Sequence, residues 1–176
     1  DTPCGKVLDF GVRRARQALP TILRAMLGIG DDDDIGAQRS ALDRARERGV
    51  VTEDDEPFVN DLLDIDQPPA PKSVFDAMDH ASRQRRSAET FAAVLGRAAG
   101  IRPLLLTIED IHWASPYLLR HLTALEATST GCPMAIVLTS RPGQQALDPL
   151  PESTADRGSR VEIDLAPFSL EESMRL

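Results

Sequence analysis

Lysine is nearly missing from this chain. Of its 20 basic residues only Lys6 and Lys72 are lysines, so any chemistry that needs a primary amine has two candidates. Cysteine is scarce as well: Cys4 and Cys132 lie far apart, and 176 residues can bury a core without a staple. A reduced, cytoplasmic compartment is the expectation that follows. Together with His80, His112 and His121 the two cysteines form neither a C-x-x-C nor an H-x-x-x-H spacing, which argues against zinc. No apolar run approaches the roughly 18 residues that cross a bilayer, and no basic stub followed by an apolar stretch opens the chain. A membrane partner and a visible secretory leader are therefore not expected.

Positive charge is also short. The net charge is −8, which disfavours direct binding to a nucleic-acid backbone. The acidity is local: residues 31–66 hold 13 acids against four arginines, and the rest of the chain is close to neutral. A nearly neutral remainder can still carry an anion site.

What is present divides into a helical, acidic part, residues 1–72, and an α/β part, residues 73–176, within one domain. Apolar residues at three- and four-residue spacing predict a helix over residues 12–27 that stops at Gly28. The acids Asp31, Asp32, Asp33 and Asp34 then precede a second helix, where they favour its free N–H groups and its dipole. A calcium loop does not fit them, because Ile35 and Leu42 stand where ligands are needed. Thr52 and Asp55 resemble a weak capping box, and Gln67-Pro68-Pro69-Ala70-Pro71 reads as a stiff extended connector. Over residues 73–99 the pattern suits either one long helix or two with a break near Ser82. The Arg83-Gln84-Arg85-Arg86 cluster reads as a solvated helix face, and His80 and His121 as satisfied or exposed helix residues.

The character changes after Pro103. Leu104-Leu105-Leu106-Thr107-Ile108 is a short apolar run that reads as a parallel strand covered on both faces. Ser115-Pro116 supplies a cap and a first-turn proline for the next helix. Met134-Ala135-Ile136-Val137-Leu138 reads as a second strand, and residues 161–165 alternate like a less buried third one. Open parallel sheets place ligands beyond the carboxyl ends of their strands. The residues found there are Glu109 and Asp110 after the first run, and Thr139, Ser140 and Arg141 after the second. An acidic pair ending a buried strand must face water, a metal or a donor, since burying a lone carboxylate costs several kcal/mol. Magnesium on phosphates needs one carboxylate, an attacking water a second, and a terminal phosphate an arginine.

The segment LLLTIEDIHWAS, residues 104–115, resembles the Walker B segment of the STAND-type ATPases. These are AAA-like regulatory P-loop NTPase domains of bacterial multidomain adenylate cyclases and LuxR-type regulators. The likeness extends to the helix before that strand, to the Thr139-Ser140-Arg141 sensor step, and to Leu165-Ala166-Pro167-Phe168-Ser169, covering roughly residues 83–172. It implies a partial P-loop NTPase-like parallel sheet flanked by helices, with a helical N-terminal portion. It also implies ATP and Mg2+ as cofactors of the parent protein, and a cyclase or DNA-binding effector domain as partner. By the same resemblance Glu109 faces magnesium, Asp110 orients the attacking water, and Arg141 senses the terminal phosphate with support from Thr139 or Ser140. Glu109 stands where many P-loop enzymes have aspartate. For His112 and Trp113, a locally bonded neutral imidazole and an indole packed beneath the site are the expected picture.

The glycine-rich phosphate loop is lacking. Gly5-Lys6 is followed by Val7, and Lys72-Ser73 has Asp66 and Pro71 at the two glycine positions. The chain starts without methionine and stops within a helical pattern, so the expectation is a fragment whose parent carries that loop upstream. Alone it should be inactive and bind no cofactor tightly. In the resembled fold the phosphate-loop strand lies between the sensor strand and the last one, so the resemblance implies a hole in the sheet. Residues 161–165 then dock beside the second strand or lie elsewhere, and a second chain can pair at the open edge. A non-catalytic scaffold or interaction module is the alternative function. A phosphoacceptor receiver fits poorly, because no aspartate ends a later apolar strand and no lysine follows Lys72.

Overall fold

The computed structural model of the chain describes residues 18–129, 131–141 and 161–166. Six helices and two strands follow one another as α1 (Ala18–Leu27), α2 (Ile35–Glu47), α3 (Glu56–Leu63), α4 (Pro69–Ala77), α5 (His80–Ile101), β1 (Leu104–Ile108), α6 (Pro116–Ser129) and β2 (Met134–Leu138). A single 3-10 turn, Ile111–Trp113, separates β1 from α6. The chain is thus mixed α/β, with a small parallel sheet beside a larger helical part. Among the described residues no helix is long and apolar enough to cross a membrane.

Local chemistry explains where the helices begin and end. Gly28 and Gly49 adopt φ of 72° and 69°, which closes α1 and α2 by letting Ile29 and Val50 donate to carbonyls five residues back. Asp34 caps α2 by accepting from the Ala37 N–H at 2.7 Å, while Asp33 accepts from Gly30. The capping role foreseen for the acidic run therefore falls to its last member, Asp34, while Asp33 closes the turn before the helix. Between Thr52 and Asp55 the side-chain capping runs only one way: the Asp55 carboxylate accepts from the Thr52 N–H and hydroxyl at 2.8 and 2.6 Å, while the Asp55 N–H donates to the Thr52 carbonyl and not to its side chain. That carboxylate also pairs with Arg97 of α5, whose Nε donates to the Val50 carbonyl at 2.8 Å. The proline segment is not an extended connector throughout. Pro69 opens α4, because a first-turn proline forfeits no helical donor and already has helical φ. Residues 73–99 resolve into two helices rather than one. The break falls at Met78 and Asp79, where the Asp79 side chain caps α5 by accepting from the Ser82 N–H and hydroxyl.

Helix α5 is the spine, packing against α3 on one side and α6 on the other. Phe91, Ala92, Val94, Leu95 and Ala99 are wholly buried along it, and each large side chain so buried stabilises the fold by about 1.5–3 kcal/mol. The arginine cluster is partly docked, not simply solvated. The Arg83 guanidinium lies over the Phe75 ring and that of Arg86 over Phe58, joining α5 to α4 and α3. On the far side, Leu118, Leu122 and Leu125 of α6 join Leu106, Ile108 and Ile111 in the same core.

Strands β1 and β2 pair in parallel, Leu104 opposite Met134 through to Ile108 opposite Leu138. Leu104, Leu106 and Ile108, with Met134, Ile136 and Leu138, share the face that meets the core. The other face carries Leu105 and Val137, which are 47% and 45% exposed, so among the described residues the sheet is covered on one side only. Coverage on both faces was expected from the unbroken apolar runs, and their composition suits it, but no described element lies over that second face. Residues 161–166 form no strand and do not dock beside β2. Val161, Ile163 and Leu165 are exposed. The Leu165 to Ser169 step continues beyond them, outside the described residues.

Candidate functional site

Parallel pairing in register has a direct consequence for the strand ends. Because Ile108 lies opposite Leu138, residues 109–110 and 139–141 leave the sheet together at one carboxyl edge. Glu109 is half-buried, and Asp110, Thr139 and Arg141 are exposed. Among the described residues no ion pair or hydrogen bond engages the side chains of Glu109 or Arg141. Ser140 is half-buried, and its hydroxyl donates weakly to the Arg141 carbonyl at 3.4 Å.

The acidic turn has an unusual backbone. Asp110 sits in the left-handed region at φ 52° and ψ 42°, a conformation that costs a non-glycine residue on the order of 1 kcal/mol, with aspartate among the more tolerant. Thr139 engages this turn at three points. Its N–H donates to the Ile108 carbonyl at 3.0 Å and its carbonyl accepts from the Ile111 N–H at 2.9 Å. Its hydroxyl oxygen accepts from the Asp110 N–H at 3.1 Å. The turn then tightens into the 3-10 segment and passes to α6, where the Ser115 hydroxyl caps the Leu118 N–H at 3.2 Å as foreseen.

His112 and Trp113 both depart from the picture expected of them, a locally bonded imidazole and a packed indole. The imidazole has no exposed surface and neither ring nitrogen has a hydrogen-bond partner; the nearest charge is Asp110 Oδ1, 3.8 Å from Nδ1. The indole is 47% exposed. Ile111 anchors the 3-10 turn in the core, and the two residues after it diverge, His112 inward and Trp113 outward. The two rings remain neighbours, with centroids 5.1 Å apart. Nothing in the sequence distinguishes which ring turns inward.

A small pocket lies between the acids and the indole, lined by Glu109, Asp110, Ile111, Trp113, Ala114 and Leu118. Its free volume is about 10 Å³, enough for one water. That space is far too small to enclose a nucleotide. Among the described residues no cluster of three or more histidine, cysteine or acidic side chains could grip a metal by itself. A cation at Glu109 would need further oxygen ligands from phosphate or water, as magnesium characteristically takes.

Comparison with protein-family models, with curated proteins and with solved structures finds no match to the chain.

Proposed function

We propose that the chain is part of a regulatory ATP-binding and ATP-hydrolysing domain of the P-loop type, similar to the STAND-type ATPases. In this reading it contributes the Walker B and sensor half of the site. The observation that carries the proposal is the common edge at which Glu109, Asp110 and Arg141 leave two adjacent parallel strands. Two carboxylates and one guanidinium at such an edge match what triphosphate hydrolysis requires. Glu109 is the residue that would hold Mg2+, which supplies charge neutralisation across the phosphate oxygens. Asp110 accepts a hydrogen bond from the attacking water, and the water-sized space beside it suits that task. Arg141 offers a bidentate contact to the terminal phosphate. The domain acts in the cytoplasm, and its nucleotide state sets the activity of an attached cyclase or DNA-binding effector.

Among the described residues the strand-end site encloses only a space of about 10 Å³, which favours a second reading, a non-catalytic scaffold that works through its helical face. Phosphate release by the full-length protein separates the two. Arg141→Ala should lower ATP turnover by on the order of 100-fold while leaving the melting temperature unchanged. Turnover that is absent from the wild type, or indifferent to this substitution, favours the scaffold.

A further inference from the structure

The geometry points to Thr139 as a positioning residue for the acidic turn, an inference that rests on the nucleotide reading above. The hydroxyl of a threonine at the end of a sensor strand is an obvious candidate for touching phosphate. Here its oxygen accepts from the Asp110 N–H at 3.1 Å, which ties it to the acidic turn whatever its own O–H contacts. The backbone of Thr139 binds the two flanks of the same turn, through the Ile108 carbonyl and the Ile111 N–H. Any residue but proline at position 139 can make those two backbone contacts. The contact at the apex, where Asp110 has φ 52°, is made by a side chain that only threonine or serine closely supplies.

That apex contact governs both acids at once. The Asp110 N–H belongs to the peptide plane that joins Glu109 to Asp110, so rotation of this plane alters the aim of both carboxylates together. The hydroxyl thus fixes the pair through one bond. Thr139 is also two residues before Arg141, so a shift of the sensor segment toward or away from a terminal phosphate is passed to the acids by the same bond. Reading the phosphate and activating the water become one event.

The test uses the full-length protein, with Thr139→Val as the near-isosteric loss of the hydroxyl and Thr139→Ser as its conservative rescue. Thr139 is exposed, so both variants should melt within about 2 °C of the wild type. Thr139→Val should lower kcat by about tenfold and leave KM for ATP within about twofold, and Thr139→Ser should restore kcat to within about threefold. A raised KM with an unchanged kcat would indicate direct contact with phosphate and overturn the positioning role. Hydrogen exchange at the Asp110 amide gives a readout independent of ATP, expected to quicken by about tenfold in Thr139→Val but not in Thr139→Ser. Unchanged exchange refutes the clasp itself. A wild type that turns over ATP beside a Thr139→Val variant with wild-type kcat rejects the clasp and spares the nucleotide reading. A wild type that neither binds nor hydrolyses ATP rejects that reading, and the catalytic meaning of the clasp with it.

Discussion

The hydroxyl of Ser87 on α5 lies 3.2 Å from Nε2 of His121 on α6, inside the interface between the two helices. The other ring nitrogen, Nδ1, is 2.8 Å from the Tyr117 carbonyl and donates to it, so Nε2 is the acceptor and Ser87 the donor. The arrangement resembles a nucleophile with its base, but both groups are buried and the pair serves to satisfy polar atoms inside the core. Burial holds His121 below the ordinary histidine range; the Tyr117 carbonyl opposes that effect and the Arg120 charge adds to it. Since the folded pKa lies below the unfolded value near 6.5, the unfolded chain takes up the proton first. Stability is therefore complete above that value and declines as pH falls from it toward the folded pKa. Urea midpoints at about pH 7.5 and pH 5.5 should differ less in His121→Leu than in the wild type. Equal differences would reject the assignment.

Arg97 joins the spine helix to the acidic half of the chain through the Asp55 carboxylate and the Val50 carbonyl. Asp55 is buried while Arg97 is one-third exposed, so removal of the arginine strands a carboxylate that water reaches only in part. Arg97→Met should destabilise the protein by about 2 kcal/mol, below the full cost of breaking a wholly buried pair. Chemical denaturation measures this directly, and a loss under about 0.5 kcal/mol would place the pair among ordinary surface contacts.

On the proposed nucleotide reading, Glu109 and Asp110 should separate by phenotype in the full-length protein. Glu109→Gln should raise the magnesium concentration needed for half-maximal turnover by about tenfold, because a neutral amide is a poorer ligand for a hard cation. Asp110→Asn should lower turnover by about 100-fold at saturating magnesium, the usual scale for losing a group that orients or accepts a proton. Exchanged phenotypes would mean that the two acids divide the work the other way round.

Residues 1–176 by themselves should bind ATP no more tightly than millimolar, about 4 kcal/mol, since the described site has a water-sized pocket and the sequence contains no glycine-rich phosphate loop. Titration calorimetry with Mg-ATP decides the matter. Micromolar affinity would require a phosphate cradle of a kind not found in the sequence.

The elements most legible in the sequence were those set by strong local chemistry. Both strands coincide with their apolar runs, Gly28 and Gly49 end their helices, and Ser115-Pro116 opens α6. What was misread depended on context. Pro69 counts as a linker residue by composition but as a helix opener by position, and only the chain that follows decides between them. Asp79 could have revealed the break before α5, since an aspartate three residues before a serine is a cap signal hidden inside a continuous apolar rhythm. The common edge of Glu109, Asp110 and Arg141 was readable because parallel pairing follows from two apolar runs joined by a helix. The inward turn of His112 and the Thr139 bond to Asp110 depend on backbone rotation, which residue types alone do not encode.

The left-handed backbone at position 110 separates what folding asks of that site from what chemistry asks. Asparagine and glycine occupy such a conformation at least as readily as aspartate, so the architecture makes no demand for an acid there. A saturation library at this codon, sorted for folded protein, should return Asn and Gly freely, whereas on the proposed reading sorting for ATP turnover should return a carboxylate alone.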